Sequence, residues 1–430
     1  MNTSLRLVLA AVALAIIGFA YFFLFGAVGD ADIAASEGEI VDPPINSVEA
    51  MPEPEAVVIG EEMIIVEEDS GDAYDIVDMF FATNRALAEN PATDDPADMF
   101  LAVEGPELIY GTTQVSIPPN HEIGHLESQG WFEAIFSEPN PEKHVILQSM
   151  VPLDKDEVMR LVGEEMRLSS TSVLFYIHGF NTGLDTAARR AGQLTYDLDW
   201  TGPSFFFSWP SQDSFKDYPN DKEKARGSRN DLQQVFEEIA STEADRIVVI
   251  AHSMGTDLLT QTLERMALNS PDALAKITNV ILAAPDINAT NFRTDIVPVF
   301  RQMREADETF NVTLYASAED SALQVSEALQ GDKRIGMLPR PDEAERARLF
   351  PVQVVDATRA VTNFFGHTYI NDNPTVIEDV YCMINNRPLP TQRATLEGVP
   401  NPEGPEFRIS ARERVVTVDN GDGGSQFKCD

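Results

Sequence analysis

The stretch Asp245–Leu259 reads DRIVVIAHSMGTDLL, and three textures meet in it. Ile247–Ala251 is a short, wholly apolar run rich in β-branched residues, the pattern of a strand buried on both faces. Asp257–Ala267 has the spacing of an amphipathic helix. Between the two, His252-Ser253-Met254-Gly255 leaves room only for a tight turn. A serine in such a strand-to-helix turn, flanked by small residues, presents its hydroxyl above the sheet. The Gly-x-Ser-x-Gly pattern appears here as Ala251-His252-Ser253-Met254-Gly255, with Ala at the first small position. The expectation is a nucleophile at Ser253.

Outward from this element the chain keeps one rhythm. Apolar, strand-like runs recur at Val173–Ile177, Phe205–Phe207, Val280–Ala284, Val312–Ala316 and Val352–Val355. Helix-like stretches fall around Thr186–Leu198, Lys222–Ile239 and Ala322–Leu329. Short apolar strands separated by amphipathic helices predict an α/β fold, a mostly parallel sheet covered on both faces. Three earlier strand patterns, IVDMFFA from Ile76, ELIYGTTQVSI from Glu107 and HVILQSM from His144, precede the alternation. The globular domain is thus expected over 76–384. Residues 385–430, with five prolines between Pro388 and Pro405 and several glycines, read as a loose tail carrying a short strand near Arg414–Val418.

A serine nucleophile needs a general base, and the base needs an orienting carboxylate. His367 is the only histidine after Ser253, so it is the base if the serine reading holds. For the acid, Asp320 follows the strand-like NVTLYA and is the first choice. Asp286, after the preceding strand, and Glu319, beside Asp320, are the alternatives. An oxyanion needs one backbone N–H after the nucleophile and one from a loop behind an early strand. Those donors are expected at Met254 and at Phe180, in His178-Gly179-Phe180-Asn181, with Gly179 allowing close approach and His178 supporting the loop. The polar stretch Ser211–Asn230 is expected to start a helix by Lys222, with Phe215 and Tyr218 as rim residues. This chemistry calls for no metal or cofactor.

The elbow, the HGFN loop and the order Ser, Asp, His resemble the α/β-hydrolase superfamily. Within it the chain resembles a bacterial esterase/lipase-like family known as domain of unknown function 900, from about Phe80 to Tyr369. The resemblance rests on ATNR at 82–85, YGTTQVSIPPNHEIGHLE at 110–127, FYIHGFN at 175–181, FSWPS at 207–211 and AHSMG at 251–255. AAPDIN at 283–288, YASAEDSAL at 315–323 and FFGHTYI at 364–370 also fit. It implies an α/β-hydrolase fold with Asp320 as the acid, and supplies no substrate. The function expected is a serine hydrolase cleaving small-molecule or lipid esters. The alternative is an inactive hydrolase-fold binding or scaffolding module of the cell envelope.

One competing motif is His121-Glu122-Ile123-Gly124-His125, which spells the H-E-x-x-H of zinc proteases. Zinc binding by that motif requires a helix that brings both histidines to one face. Pro118, Pro119 and the internal Gly124 argue for a surface loop instead.

The ends of the chain bear on location. Leu7–Val28 is 22 residues without a charge, preceded by Arg6 and followed by Asp30, Asp32, Glu37 and Glu39. About 20 apolar residues suffice to span a bilayer, and basic residues stay on the cytoplasmic side. Residues 1–29 are expected to form a single-pass anchor in a bacterial inner membrane, with the domain facing the periplasm or exterior. Small residues at Gly26–Ala27 and Ala34–Ala35 leave secretion after cleavage as the alternative. Residues 30–75 hold prolines and acids without Lys or Arg, the composition of an extended linker. Overall the chain carries 70 acids against 31 bases, a net charge of −39, which makes it a poor partner for nucleic acid. In an oxidising compartment Cys382 and Cys429 could form one bridge or remain free thiols.

Overall fold

The apolar run of the elbow becomes a strand because both its faces are covered: Ile247–His252 are buried throughout. The computed structural model describes residues 74–89, 95–129, 137–212, 217–338, 341–360, 367–385, 389–399, 406–410, 417–419, 425–427 and 429. In chain order the main strands are β1 (Asp75–Leu87), β2 (Phe100–Ile117), β3 (Ile146–Leu153), β4 (Ser172–Ile177), β5 (Ser204–Ser208) and β6 (Arg246–His252). They continue as β7 (Ile277–Ala283), β8 (Asn311–Ala316), β9 (Gln353–Asp356), β10 (Leu396–Val399) and β11 (Glu406–Ile409). The described parts of these eleven strands form one sheet, ordered β10-β11-β9-β8-β7-β6-β4-β5-β1-β2-β3. From β11 across to β1 every pair is parallel. The outer pairings of β1 with β2, β2 with β3, and β10 with β11 are antiparallel.

The longer helices are α1 (Lys155–Leu168), α2 (Leu184–Asp197), α3 (Tyr218–Gly227), α4 (Arg229–Ala240), α5 (Met254–Asn269), α6 (Val297–Ala306), α7 (Ser321–Gln330) and α8 (Pro374–Ile384). Successive side chains of a strand point to opposite faces, so each central strand feeds two cores. Val173, Phe175 and Ile177 of β4 join residues of α1, α4, α5 and α6. Leu174 and Tyr176 of the same strand join α2 and α8. The fold is therefore α/β, a mostly parallel sheet with helices on both faces, as the sequence pattern and the resemblance predict. The expected helix over Lys222–Ile239 is two helices, broken at Ser228, whose hydroxyl accepts from Asn84 and donates to the Lys224 carbonyl.

The site is positioned by a reversal in strand order. β4 lies between β5 and β6, so the chain leaves it to one side through α2 and returns to the other through α3 and α4. In open α/β sheets ligands bind where the order reverses, at the carboxyl ends of the strands. Those ends are His178-Gly179-Phe180 after β4 and Ser253 after β6.

The reading of 385–430 as a loose tail is corrected. β11 pairs with β9 and β10 with β11, so the sheet runs past residue 384. Arg408 pairs with Asp356, and buried Arg393 with buried Asp379. Four-residue strands do not stand out of a proline-rich composition. Farther on, β12 (Thr417–Asp419) pairs with β13 (Ser425–Phe427), and Phe427 packs on Tyr381 of α8 at 5.1 Å. Cys382 and Cys429 are joined in a disulfide across a separation of 47 residues. Closing a loop of this size removes about 4 kcal/mol of unfolded-chain entropy in the simplest treatment. The expected anchor, 1–29, and the linker, apart from its last two residues, lie outside the described residues. Among the described residues no helix is long and apolar enough to cross a membrane.

Candidate active site

Ser253 joins β6 to α5 with φ 51° and ψ −121°, a conformation that L residues rarely adopt. Such backbone costs about 1–3 kcal/mol and persists only when its surroundings over-determine it. Here the Ser253 N–H donates to the Ala283 carbonyl at 2.9 Å, and the Ser253 carbonyl accepts from the Thr256 hydroxyl at 2.6 Å. Gly255 is obligatory: a Cβ there would stand 2.4 Å from the His178 carbonyl oxygen. The small residue after the serine lets α5 cross the end of β4.

His367 closes on the serine from the far end of the chain. Its Nε2 lies 2.7 Å from Ser253 Oγ and its Nδ1 lies 2.7 Å from Asp320 Oδ2. A carboxylate can only accept, so Nδ1 carries the proton and Ser253 donates to Nε2. Burial pulls the imidazole pKa down, but the charge and hydrogen bond of Asp320 outweigh it and hold the pKa above the ordinary value. Asp320 itself is fully buried and caps α7 through the Leu323 N–H.

The loop after β4 meets the serine closely. A Cβ on Gly179 would stand 2.8 Å from Ser253 Cβ, so only glycine fits, and Phe180 follows it. Met254 is the first residue of α5. An N–H in that position has no partner within its helix, and the helix dipole makes its surroundings favourable to negative charge.

A family profile described as alpha/beta hydrolase of unknown function (DUF900) matches residues 155–387, more than half of the chain. The chain belongs to that family. No curated protein matches it. Among solved structures, a thermostable esterase from Pseudomonas putida is similar at 13% identity over 70% of this chain and 77% of that one, with a TM-score of 0.29.

The other candidate residues of this α/β hydrolase fall into supporting positions. Asp286 sends its N–H to the Ser253 carbonyl at 3.3 Å, but the carboxylate hydrogen-bonded to His367 is that of Asp320, and Asp286 acts on the ring only through its charge. That carboxylate accepts from Tyr218 at 2.5 Å and Ser326 at 2.6 Å and pairs with buried Arg334. Glu319 is exposed beside Asp320. Tyr218, one of the two expected rim residues, packs edge-on against Phe180 at 5.2 Å; Phe215 lies outside the described residues. His178 is fully buried, stacked on Trp209 at 5.0 Å, with Nδ1 2.9 Å from the Gly179 carbonyl. Burial, with the nearby Arg85 charge, drives its pKa down to about 3.

His252 has a role that the sequence reading missed. Its Nε2–H donates to the His367 carbonyl at 3.0 Å, tying the segment that carries His367 to the elbow itself. Burial, then the neighbouring His367, pushes its pKa down to about 3, so it donates without adding a charge. Its place in the elbow motif was the available signal.

The H-E-x-x-H segment is not on a helix; His121–His125 lie in turns after β2. His121 is wedged between Glu127 and Asp197, each 2.8 Å from one ring nitrogen, and neither nitrogen has a lone pair left for a metal. His125 is 65% exposed. Among the described residues no cluster of three or more His, Cys, Asp or Glu side chains could hold an ion.

Proposed function

We propose that this chain is a serine hydrolase that cleaves carboxylic esters of small molecules or lipids. The observation that carries the reading is the unbroken hydrogen-bonded line from Asp320 through His367 to Ser253. Ser253 Oγ attacks the acyl carbonyl while His367 Nε2 takes its proton. Asp320 keeps the ring in the Nδ1–H tautomer and faces the imidazolium that forms. The oxyanion is received by the N–H groups of Met254 and Phe180, at a helix N-terminus where negative charge is favoured. His367 then protonates the departing alkoxide, and a water deprotonated by the same ring releases the acid. These residues handle every proton and charge in the cycle, and the reading invokes no cofactor. Nor does it involve nucleic acid, given the net charge of −39.

The location belongs to the same proposal. The uncharged Leu7–Val28, with Arg6 before it and acids after it, tethers the hydrolase to a bacterial inner membrane facing the periplasm or exterior. An unbroken disulfide suits an oxidising compartment.

The test is turnover of short p-nitrophenyl esters by the full-length chain in mild detergent, beside Ser253→Ala. Loss of one triad nucleophile should lower kcat by about 10⁴–10⁶-fold. A Ser253→Ala protein that keeps most of the activity would overturn the mechanism. A folded wild-type chain without turnover or acylation would favour a scaffold on the same fold.

A further inference from the structure

The Gly179–Phe180 peptide contains both a carbonyl that is visibly held and the N–H proposed to receive the oxyanion. A peptide unit is planar, and in the trans form its C=O and N–H point in opposite directions. This peptide is trans, the one cis bond described being Phe350–Pro351. Whatever holds the Gly179 carbonyl therefore aims the Phe180 N–H.

The holder is His178, whose Nδ1 lies 2.9 Å from that carbonyl. A carbonyl only accepts, so Nδ1 must carry the proton and Nε2 must accept. The structure supplies the matching donor: Ser208 Oγ lies 3.3 Å from His178 Nε2. Ser208 is oriented in turn by Arg85, whose Nε–H donates to Ser208 Oγ at 2.9 Å and leaves the hydroxyl proton for the ring. An arginine is always a donor, so the direction of the whole relay is fixed at its source. The same guanidinium donates to the Ser211 and Thr182 carbonyls, each at 3.2 Å, and so also grips the loop beyond Phe180. All three relay side chains are at least 98% buried.

We infer that Arg85, Ser208 and His178 form a one-way hydrogen-bond relay that sets the Gly179–Phe180 peptide plane and thereby positions the Phe180 N–H as oxyanion donor. This rests on the serine-hydrolase reading. It explains why ATNR at 82–85 and the first serine of FSWPS, Ser208, distant in sequence from the elbow, belong to one site. Burial keeps His178 neutral, as its acceptor nitrogen requires. These are positioning residues: none touches the reacting atoms.

The experiment measures ester turnover by full-length His178→Ala, His178→Asn and Ser208→Ala, with thermal unfolding and pH profiles for each. Asparagine can present an N–H where His178 has Nδ1–H, whereas alanine cannot. We expect His178→Ala to lose about 10²-fold in kcat, the lower end for loss of an oxyanion donor, with KM little changed. His178→Asn should recover most of that loss, and Ser208→Ala, which frees the ring to adopt the other tautomer, should lose about 10-fold. The acid limb of each pH profile should stay where the wild type has it, because His367 and Asp320 are untouched. Folded His178→Ala and Ser208→Ala proteins with wild-type kcat would overturn the relay and leave the triad standing. Equal losses in His178→Asn and His178→Ala would also overturn it, pointing to packing. If His178→Ala does not fold, Ser208→Ala and His178→Asn decide by the same readings. Full activity in Ser253→Ala would instead remove the reading beneath it.

Discussion

His367 and His121 have nearly the same immediate surroundings and opposite capacities. Each holds a carboxylate at hydrogen-bond distance on Nδ1, Asp320 at 2.7 Å for one and Glu127 at 2.8 Å for the other. The difference is at Nε2. His367 presents it to a hydroxyl, Ser253 Oγ, while His121 presents it to a second carboxylate, Asp197. With one acid the ring is favoured as a cation yet still gives up its second proton, so Nε2 can act as a base. With two acids both nitrogens must donate. Burial alone would lower the His121 pKa, but bonds to Asp197 and Glu127 carry it up to about 9. Histidine beside carboxylate is thus not in itself catalytic; what the remaining nitrogen faces decides. His121 instead locks the 118–128 loop, whose Gly124 lies against Asn373 and Pro374 at the start of α8.

The sharpest way to break this comparison is to take the acid from His367. Asp320→Asn should reduce kcat by about 10⁴-fold, since an amide no longer favours the required tautomer. The pH profile should move with it. His367 must be neutral to act, and its pKa is raised by Asp320, so wild-type activity falls as pH drops through a value above 6.5. In Asp320→Asn the acid limb should shift downward. An unmoved limb would mean that another group limits the rate.

The converse change, His121→Gln, should affect folding rather than catalysis. A histidine pKa raised from 6.5 to about 9 represents roughly 3 kcal/mol of stability. With a raised folded-state pKa that stability is complete below 6.5 and disappears as pH rises through about 9. Denaturant titrations of wild type and variant should therefore differ most at pH 6 and converge near pH 10. Turnover per folded molecule should match; a large loss of kcat would draw His121 into the chemistry. The smallest effect is expected from His125→Ala. That side chain is mostly solvent-exposed, so the variant should keep activity and stability within about 0.5 kcal/mol. A chelator should leave both proteins equally active, and chelator-sensitive turnover would revive the zinc reading.

The same contrast explains how much was legible in the sequence. The strand, turn and helix around Ser253 are local, and Ile247–Ala251 could hardly be anything but a buried strand. His367 was legible by elimination. The acid was legible only as a first choice, Asp320, with Asp286 left open because both follow strands. What separates them is the capture of Asp286 by Tyr218, Ser326 and Arg334, partners from three other segments. The tethers from His252 and Arg85 are equally long-range. The sheet strands beyond residue 384 were hidden for another reason: four-residue strands among prolines and glycines leave no periodicity to detect. In H-E-x-x-H the letters were present, but the helix their chemistry needs was excluded by Pro118, Pro119 and Gly124.

The central claim is that the nitrogen facing Ser253 makes this hydroxyl a nucleophile. The most direct test is to treat the full-length chain with a fluorophosphonate at neutral pH and map the adduct by peptide mass. The account predicts one adduct, on the peptide carrying Ser253, absent from Ser253→Ala and nearly absent from His367→Ala. A folded protein that takes up no probe, or takes it up equally without Ser253, would contradict it.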